Sequence, residues 1–254
     1  MSPAVRQRLD LLLVERGLAE TRSKAQALLL AGHVRVGSGD GARLDRKAGE
    51  LVDPAVTLEL VQRAPFVSRG GEKLAGALDA FAVDPRGRVC LDVGASTGGF
   101  TDALLRRGAS RVYALDVGRG QLAASLRDDP RVVSLERTHA RRLDPGDPEA
   151  VELPERPSLA VVDVSFISLT RLLGGIASQL TLDGEIVALV KPQFEVGPRD
   201  VPRGVVRDPA VRAAAVARVR QHALDIGLTV RGEVESTLVG PSGNHEWFLH
   251  LARG

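Results

Sequence analysis

The chain has 254 residues, 44% of them hydrophobic and only 3% aromatic, with a formal net charge of +2. That length suits one large domain and a small one around aliphatic cores, and the single Cys90 excludes an internal disulfide and a cysteine-rich zinc site. No apolar run approaches the roughly 18–20 residues of a spanning helix, and residues 1–8 are charged with no signal-type apolar stretch after them, so a cytoplasmic protein is expected. The five histidines share no metal-ligand spacing, and no metal is expected.

In residues 8–17, Leu9, Leu12 and Leu13 fall on one face of a helix that Gly17 ends. Thr21 is placed to cap a second helix over 22–31, closed by Gly32. A strand at 33–36, a turn at Gly37-Ser38-Gly39-Asp40-Gly41 and an alternating strand at 56–60 follow. This unit resembles the S4 RNA-binding module. The matching residues are Arg8-Leu9-Asp10, Leu13-Val14, Gly17-Leu18, Thr21-Arg22-Ser23-Lys24-Ala25, Leu29, Gly32 and Val34-Arg35-Val36. The resemblance implies that Arg8, Arg22, Lys24 and Arg35 grip RNA backbone. Contacts of that kind orient a protein without reading bases. The slight basic excess of the chain also lies here, at 10 basic against 8 acidic residues in 1–63.

Residues 61–67 read as a linker between an N-terminal domain at 1–60 and a larger one at 68–254. Strands are expected at 88–93, 111–116, 131–135, 158–163, 185–190, 228–238 and 246–252, with helices at 98–107, 120–127, 168–179 and 208–226. Such alternation argues for a doubly wound α/β sheet that binds ligands at the carboxyl ends of its strands. The last two strands are separated only by Gly240-Pro241-Ser242-Gly243-Asn244 and should pair as an antiparallel hairpin at one edge. Segment 197–207 lacks periodicity and reads as a loop, in which Arg199 and Arg203 are candidates, with Arg69, for holding RNA.

Cys90-Leu91-Asp92-Val93-Gly94-Ala95-Ser96-Thr97-Gly98-Gly99-Phe100 runs from strand through a small-residue loop into a helix. Glycines there let backbone approach a ligand, and the helix start offers unpaired N–H groups. Asp116, beside Val117, ends the next strand and suits a ribose diol. Thr138, Ala140 and Arg141 follow the third strand, where an adenine usually sits; His139 between them is read as structural. Ser96 stands where a G-x-G-x-x-G loop has the glycine that admits a pyrophosphate, which favours S-adenosylmethionine over a dinucleotide.

Only four of the 34 basic residues are lysines, and two of them, Lys73 and Lys191, stand where an amine could do chemistry that a permanently charged guanidinium could not. With Asp163 and Glu246 they give the order Lys, Asp, Lys, Glu used by ribose 2′-O-methyltransferases. Further motifs are Ser68-Arg69-Gly70-Gly71-Glu72-Lys73-Leu74, Asp163-Val164-Ser165-Phe166-Ile167-Ser168-Leu169 and Val190-Lys191-Pro192-Gln193-Phe194-Glu195. Together with the S4 module and both glycine-rich loops, they resemble the TlyA family of ribosomal RNA 2′-O-methyltransferases, also labelled hemolysins.

The resemblance implies a Rossmann-like methyltransferase domain of six parallel strands and an antiparallel seventh behind a small α+β S4 domain. It implies methylation of a cytidine ribose in ribosomal RNA with S-adenosylmethionine. Lys73, Asp163, Lys191 and Glu246 would be catalytic; Lys191 would act as base or as the amine that orients the 2′-oxygen. Asp92, Gly94, Ala95, Ser96, Thr97, Gly98, Gly99 and Phe100 would form the cofactor loop. The linker Arg63-Ala64-Pro65-Phe66 lacks the tryptophan of mycobacterial members, and the chain stops at Gly254, just after the last strand. Large-subunit RNA is the target the resemblance implies, and these departures leave the small subunit open.

Three other readings compete. Arg142-Leu143-Asp144 matches the R-L-D of S4-bearing pseudouridine synthases but is followed by Pro145-Gly146. A membrane-lysing protein has only the family's second label behind it. An RNA-binding assembly factor with a dead cofactor fold is opposed by the complete Lys-Asp-Lys-Glu set.

Overall fold

The computed structural model describes residues 6–30, 32–61 and 65–253. The chain divides into two compact units, Met1–Ala64 and Pro65–Gly254. Residues 62–64 of the expected linker, Arg63 among them, lie outside the described residues, as does Ala31 at the expected end of the second helix.

In the N-terminal unit, β1 (Gln7–Arg8) leads into α1 (Leu9–Glu15), followed by α2 (Arg22–Leu30), β2 (Val34–Val36), β3 (Leu51–Val52) and β4 (Leu58–Leu60). β1 pairs antiparallel with β3, and β2 with β4. Leu9, Leu12 and Leu13 pack on Ala25, Leu29, Val34 and Val36. Thr21 Oγ1 accepts from Lys24 N at 3.2 Å, the expected cap. β1 and β3 are too short to show alternation in a sequence. The strand expected at 56–60 starts two residues late because Val56 N turns back to the Asp53 carbonyl at 2.9 Å.

The C-terminal unit opens with α3 (Arg69–Phe81), which the sequence pattern does not announce. Then come β5 (Val89–Val93), α4 (Gly99–Arg106), β6 (Arg111–Leu115), α5 (Ala124–Arg127), β7 (Val132–Leu135), β8 (Leu159–Val162), α6 (Leu173–Gln179), β9 (Glu185–Val190), α7 (Pro192–Glu195), α8 (Pro209–Asp225), β10 (Leu228–Glu235) and β11 (Trp247–Arg253). Asp208 caps α8 by accepting from Ala210 N at 2.8 Å, with Pro209 at the first helical position. The helix expected at 120–127 is confined to α5, since Ala123 is extended (ψ 139°). The one expected at 168–179 is a 3-10 turn, Leu169–Arg171, then α6, with Leu172 bent to φ −120° between them. Segment 197–207 contains two 3-10 turns, Pro198–Asp200 and Pro202–Gly204.

The strands order as β10-β11-β9-β8-β5-β6-β7. β11 runs antiparallel to both neighbours and the central pairs are parallel, giving six strands one way and one the other. Helices cover both faces. Leu91, Val93, Ala160 and Val162 face Leu173 and Ile176 of α6 and Val216 and Val219 of α8. Cys90, Leu159 and Val161 face Leu74 and Leu78 of α3 and Leu104 of α4. Burial on both sides explains why β8 reads as an unbroken apolar run.

Register then brings one end of the sheet together. Val93 lies opposite Leu115 and Val162, so Gly94, Asp116 and Asp163 leave the sheet side by side. Trp247 lies opposite Val190, so Glu246 and Lys191 meet at the same edge although their strands run oppositely.

Candidate active site

All four residues of the Lys-Asp-Lys-Glu set line one cleft of about 640 Å³. Lys73 projects from the buried side of α3, 7% exposed, and its ammonium pairs with the Glu246 carboxylate, 2% exposed. Gly240 makes room for that carboxylate, because a Cβ there would fall 2.6 Å from Glu246 Oε1. Lys191 Nζ lies 2.5 Å from Asp163 Oδ1 and donates to Ser165 Oγ at 3.0 Å. The Asp163 contact is an ion pair lying outside hydrogen-bond angles; the directed bond of this amine goes to Ser165. The site thus consists of two amine–carboxylate pairs.

A second cleft of about 870 Å³ adjoins the first and shares Gly94, Asp163, Ser165 and Phe194 with it. Leu115, Val117, Ala140 and Ile167 give it apolar walls; Asp116, Thr138 and Arg141 give it polar ones. Asp116 accepts from Ser96 N at 2.8 Å and Gly118 N at 2.7 Å, and each of its oxygens keeps capacity for another donor. At the junction Gly94 has φ +91°, and a Cβ on it would fall 2.5 Å from the Asp163 carbonyl oxygen. Only glycine fits there.

Ala95, Ser96, Thr97, Gly99 and Phe100 line the first cleft, whereas Asp92 and Gly98 line neither. Asp92 is fully buried behind the loop, where its Oδ2 accepts from Thr101 Oγ1 at 2.7 Å and its Oδ1 has no partner. Burial pushes its carboxyl up to about 7, against the pull of the Thr101 bond. Gly98 turns the chain at φ +97° beneath Leu126. His139 lines the second cleft, and its Nδ1 accepts from Arg141 N at 3.1 Å, capping a 3-10 turn.

Arg69 lines the first cleft and donates to the Val239 carbonyl at 3.1 Å. Arg199 and Arg203 are exposed on their loop. In the N-terminal unit Arg8 and Arg22 converge on Asp10, which is fully buried and accepts from Arg8 Nε and Nη2 (3.1 and 3.0 Å), Arg22 Nε (2.9 Å) and Gln26 Nε2 (2.9 Å). The Arg8 bond in particular holds the Asp10 carboxyl below the usual carboxylate range, against its burial. Lys24 pairs with Glu20, and Arg35 with Glu59 at 3.2 Å. The four basic side chains remain 40–60% exposed.

Residue-by-residue reading of the sequence gave no role to Asn244. It is 3% exposed, lines the first cleft, accepts from Val206 N at 3.0 Å and donates to the Gly204 carbonyl at 2.8 Å, tying the arginine-bearing loop to the Gly240–Asn244 turn. A polar residue ending a glycine-rich turn two places before Glu246 was the available signal. Phe194 and Gln193 of the cleft wall gave none.

Residues 66–253 match the model of FtsJ-like methyltransferases, and residues 7–37 that of the S4 domain. The 16S/23S rRNA (cytidine-2′-O)-methyltransferase TlyA of Mycobacterium tuberculosis is 51% identical over 250 residues, covering 98% of this chain and 90% of that one. The chain belongs to the TlyA family of FtsJ-like methyltransferases. Other members carry a second label. Hemolysin A of Brachyspira hyodysenteriae is 41% identical, over 96% of this chain and 99% of its own. A solved structure from Streptococcus thermophilus with a provisional hemolysin label is 41% identical, with a TM-score of 0.71 over 98% of this chain and 89% of that one. The family and fold imply use of S-adenosylmethionine, and the S4 domain implies an RNA substrate. Among the described residues no helix is long and apolar enough to cross a membrane.

Proposed function

We propose that this protein transfers the methyl of S-adenosylmethionine to the ribose 2′-hydroxyl of a cytidine in ribosomal RNA, on cytoplasmic ribosomal subunits. The observation that carries the reading is the convergence of two amine–carboxylate pairs on a cleft joined, through Gly94 and Asp163, to a nucleoside-sized one. The second cleft fits the cofactor. Its apolar walls suit an adenine, Asp116 suits a ribose diol, and the Gly94 cradle would close on any side chain. Asp116, Val117, Thr138, Ala140 and Arg141 would hold the nucleoside, and the loop of Gly94, Ala95, Ser96, Thr97, Gly99 and Phe100 the amino-acid part. Asp92 and Gly98 would support that loop from behind.

When bound, the cofactor supplies a methyl activated by its sulfonium. The protein then has to align the hydroxyl and take one proton. Lys191 is assigned to the 2′-oxygen. An ammonium has three donors, and Asp163 and Ser165 engage two at most, leaving one for the substrate. As the methyl leaves sulfur for the 2′-oxygen the proton is relayed: Lys191 gives one of its protons to the Asp163 carboxylate and takes the hydroxyl proton in its place. Lys73, fixed by Glu246, adds positive charge to the same cleft. Arg69, Arg199 and Arg203 hold RNA backbone near the cleft. The S4-type domain (1–60) holds RNA backbone through Arg8, Arg22, Lys24 and Arg35.

The test is methyl transfer by Lys191→Arg, which keeps the charge and removes the tunable amine. Loss of turnover with cofactor binding intact supports the assignment; near wild-type activity refutes it.

A further inference from the structure

The segment Asp163–Leu169 is attached to the Lys191 segment at two points. At one end Lys191 meets Asp163 at 2.5 Å and Ser165 at 3.0 Å. At the other, four residues along the same chain, Glu195 accepts from Ser168 Oγ at 2.6 Å and from Leu169 N at 2.8 Å. One helical turn, α7, separates the two attachments, with Pro192 at its first position. Glu195 is 4% exposed, so its carboxylate has left water for these bonds, with the Arg218 guanidinium 4.0 Å away. A buried carboxylate spent on one loop is costly unless the loop's position matters.

The stretch between the attachments needs holding. Phe166 has φ +66°, a left-handed conformation that a bulky side chain avoids, and it is 91% exposed with its ring 5.0 Å from that of Phe194. Released, this backbone would relax toward ordinary dihedrals and shift its neighbours. Those neighbours serve both clefts: Asp163 and Ser165 meet Lys191, and residues 164–168 wall the nucleoside-sized cleft.

We infer that Glu195 is a positioning residue for methyl transfer, locking the 163–169 loop to the helical turn that follows Lys191 so that the cofactor wall and the Asp163–Lys191 pair form together. The inference rests on the proposed roles of the two clefts.

The experiment compares full-length Glu195→Ala, Glu195→Gln and Ser168→Ala with wild type. It measures the S-adenosylmethionine Kd by calorimetry, kcat and KM for RNA, and Tm. Glu195→Ala is expected to raise the cofactor Kd and to lower kcat, each by about tenfold or more, with KM for RNA within about twofold. Glu195→Gln keeps both contacts, since an amide accepts from Leu169 N and donates to Ser168 Oγ, and should stay within about threefold of wild type in both. Ser168→Ala removes the Glu195 bond, together with the hydroxyl's contacts to Thr170 N and Oγ1, while leaving the Glu195–Leu169 N bond in place; an intermediate Kd is expected, and it carries the test if Glu195→Ala does not fold. A lowered Tm with wild-type Kd and kcat, measured well below that Tm, would make Glu195 a stabilising residue only and overturn the inference. The Kd readout does not depend on Lys191 being the reactive amine, so a failure of that assignment appears separately, as turnover by Lys191→Ala.

Discussion

Glu246→Gln is the most searching single perturbation of the site. It removes the anion facing Lys73, whose side chain is 8% exposed, and leaves an ammonium in a place that water barely reaches. Breaking a buried ion pair by deleting one partner costs about 3–5 kcal/mol, and the amide oxygen can still accept one bond, so about 3 kcal/mol is expected. For a unit of this size that is a fall in Tm of about 6–12 °C. The single tryptophan, Trp247, is the neighbour of Glu246 and reports unfolding of the C-terminal unit by fluorescence. The companion Lys73→Met/Glu246→Gln removes both charges and should recover most of the loss, since an apolar replacement of a buried pair is close to neutral. Methyl transfer should recover in neither variant. Two results would refute the reasoning. If Glu246→Gln melts with wild type, the pair is not desolvated. If the double variant transfers methyl at the wild-type rate, the pair is structural and has no part in the chemistry.

Other perturbations test other links. Gly94→Ala forces a Cβ to within 2.5 Å of the Asp163 carbonyl at φ +91°; it should cost about 2 kcal/mol of stability and abolish cofactor binding measured by calorimetry. Asp92 is ordinarily ionised above about pH 4 in an unfolded chain, while burial raises it to about 7 in the folded one. The folded state therefore holds the extra proton between those values, and stability should fall as pH rises from about 4 to about 7, by up to about 4 kcal/mol. Asp92→Asn should flatten that part of the profile in urea titrations of the free protein. Asp10→Ala leaves Arg8 and Arg22 charged but unheld. RNA affinity should fall about tenfold while the slope of log K against log salt hardly changes, whereas Arg22→Ala should lower that slope by about one.

Much of this was legible in the sequence, because the chemistry depends on residues at strand ends. Gly94, Asp116, Asp163 and Lys191 each follow an apolar run, and parallel register brings such residues to one edge. Glu246 precedes its strand and reaches that edge only because β11 runs backwards, as the short link before it suggested. What was illegible has packing causes. α3 begins Arg69-Gly70-Gly71, and adjacent glycines argue against a helix. The second is there for close approach: a Cβ on Gly71 would fall 2.4 Å from the Phe66 side chain and 2.9 Å from the Gly99 carbonyl, so α3 can seat against the start of α4 and carry Lys73 into the cleft. The helix expected at 168–179 breaks at Leu172, and Gly175 within α6 lets that helix press on the Asp144 backbone. The sequence marks Arg8 and Arg22 only as candidate RNA contacts; that Asp10 organises them is a tertiary fact with no periodic signature.

Transfer to a cytidine 2′-oxygen through Lys191 is read out by tritium transfer from labelled S-adenosylmethionine to unmodified ribosomal subunits, large and small assayed separately. Wild type and Lys191→Ala are compared, and the product is mapped by primer extension at low dNTP. Label is expected on a cytidine ribose of at least the large subunit, absent with Lys191→Ala although that variant still binds cofactor. Wild type that binds cofactor but labels neither subunit, or Lys191→Ala that labels them as well as wild type, would contradict that expectation.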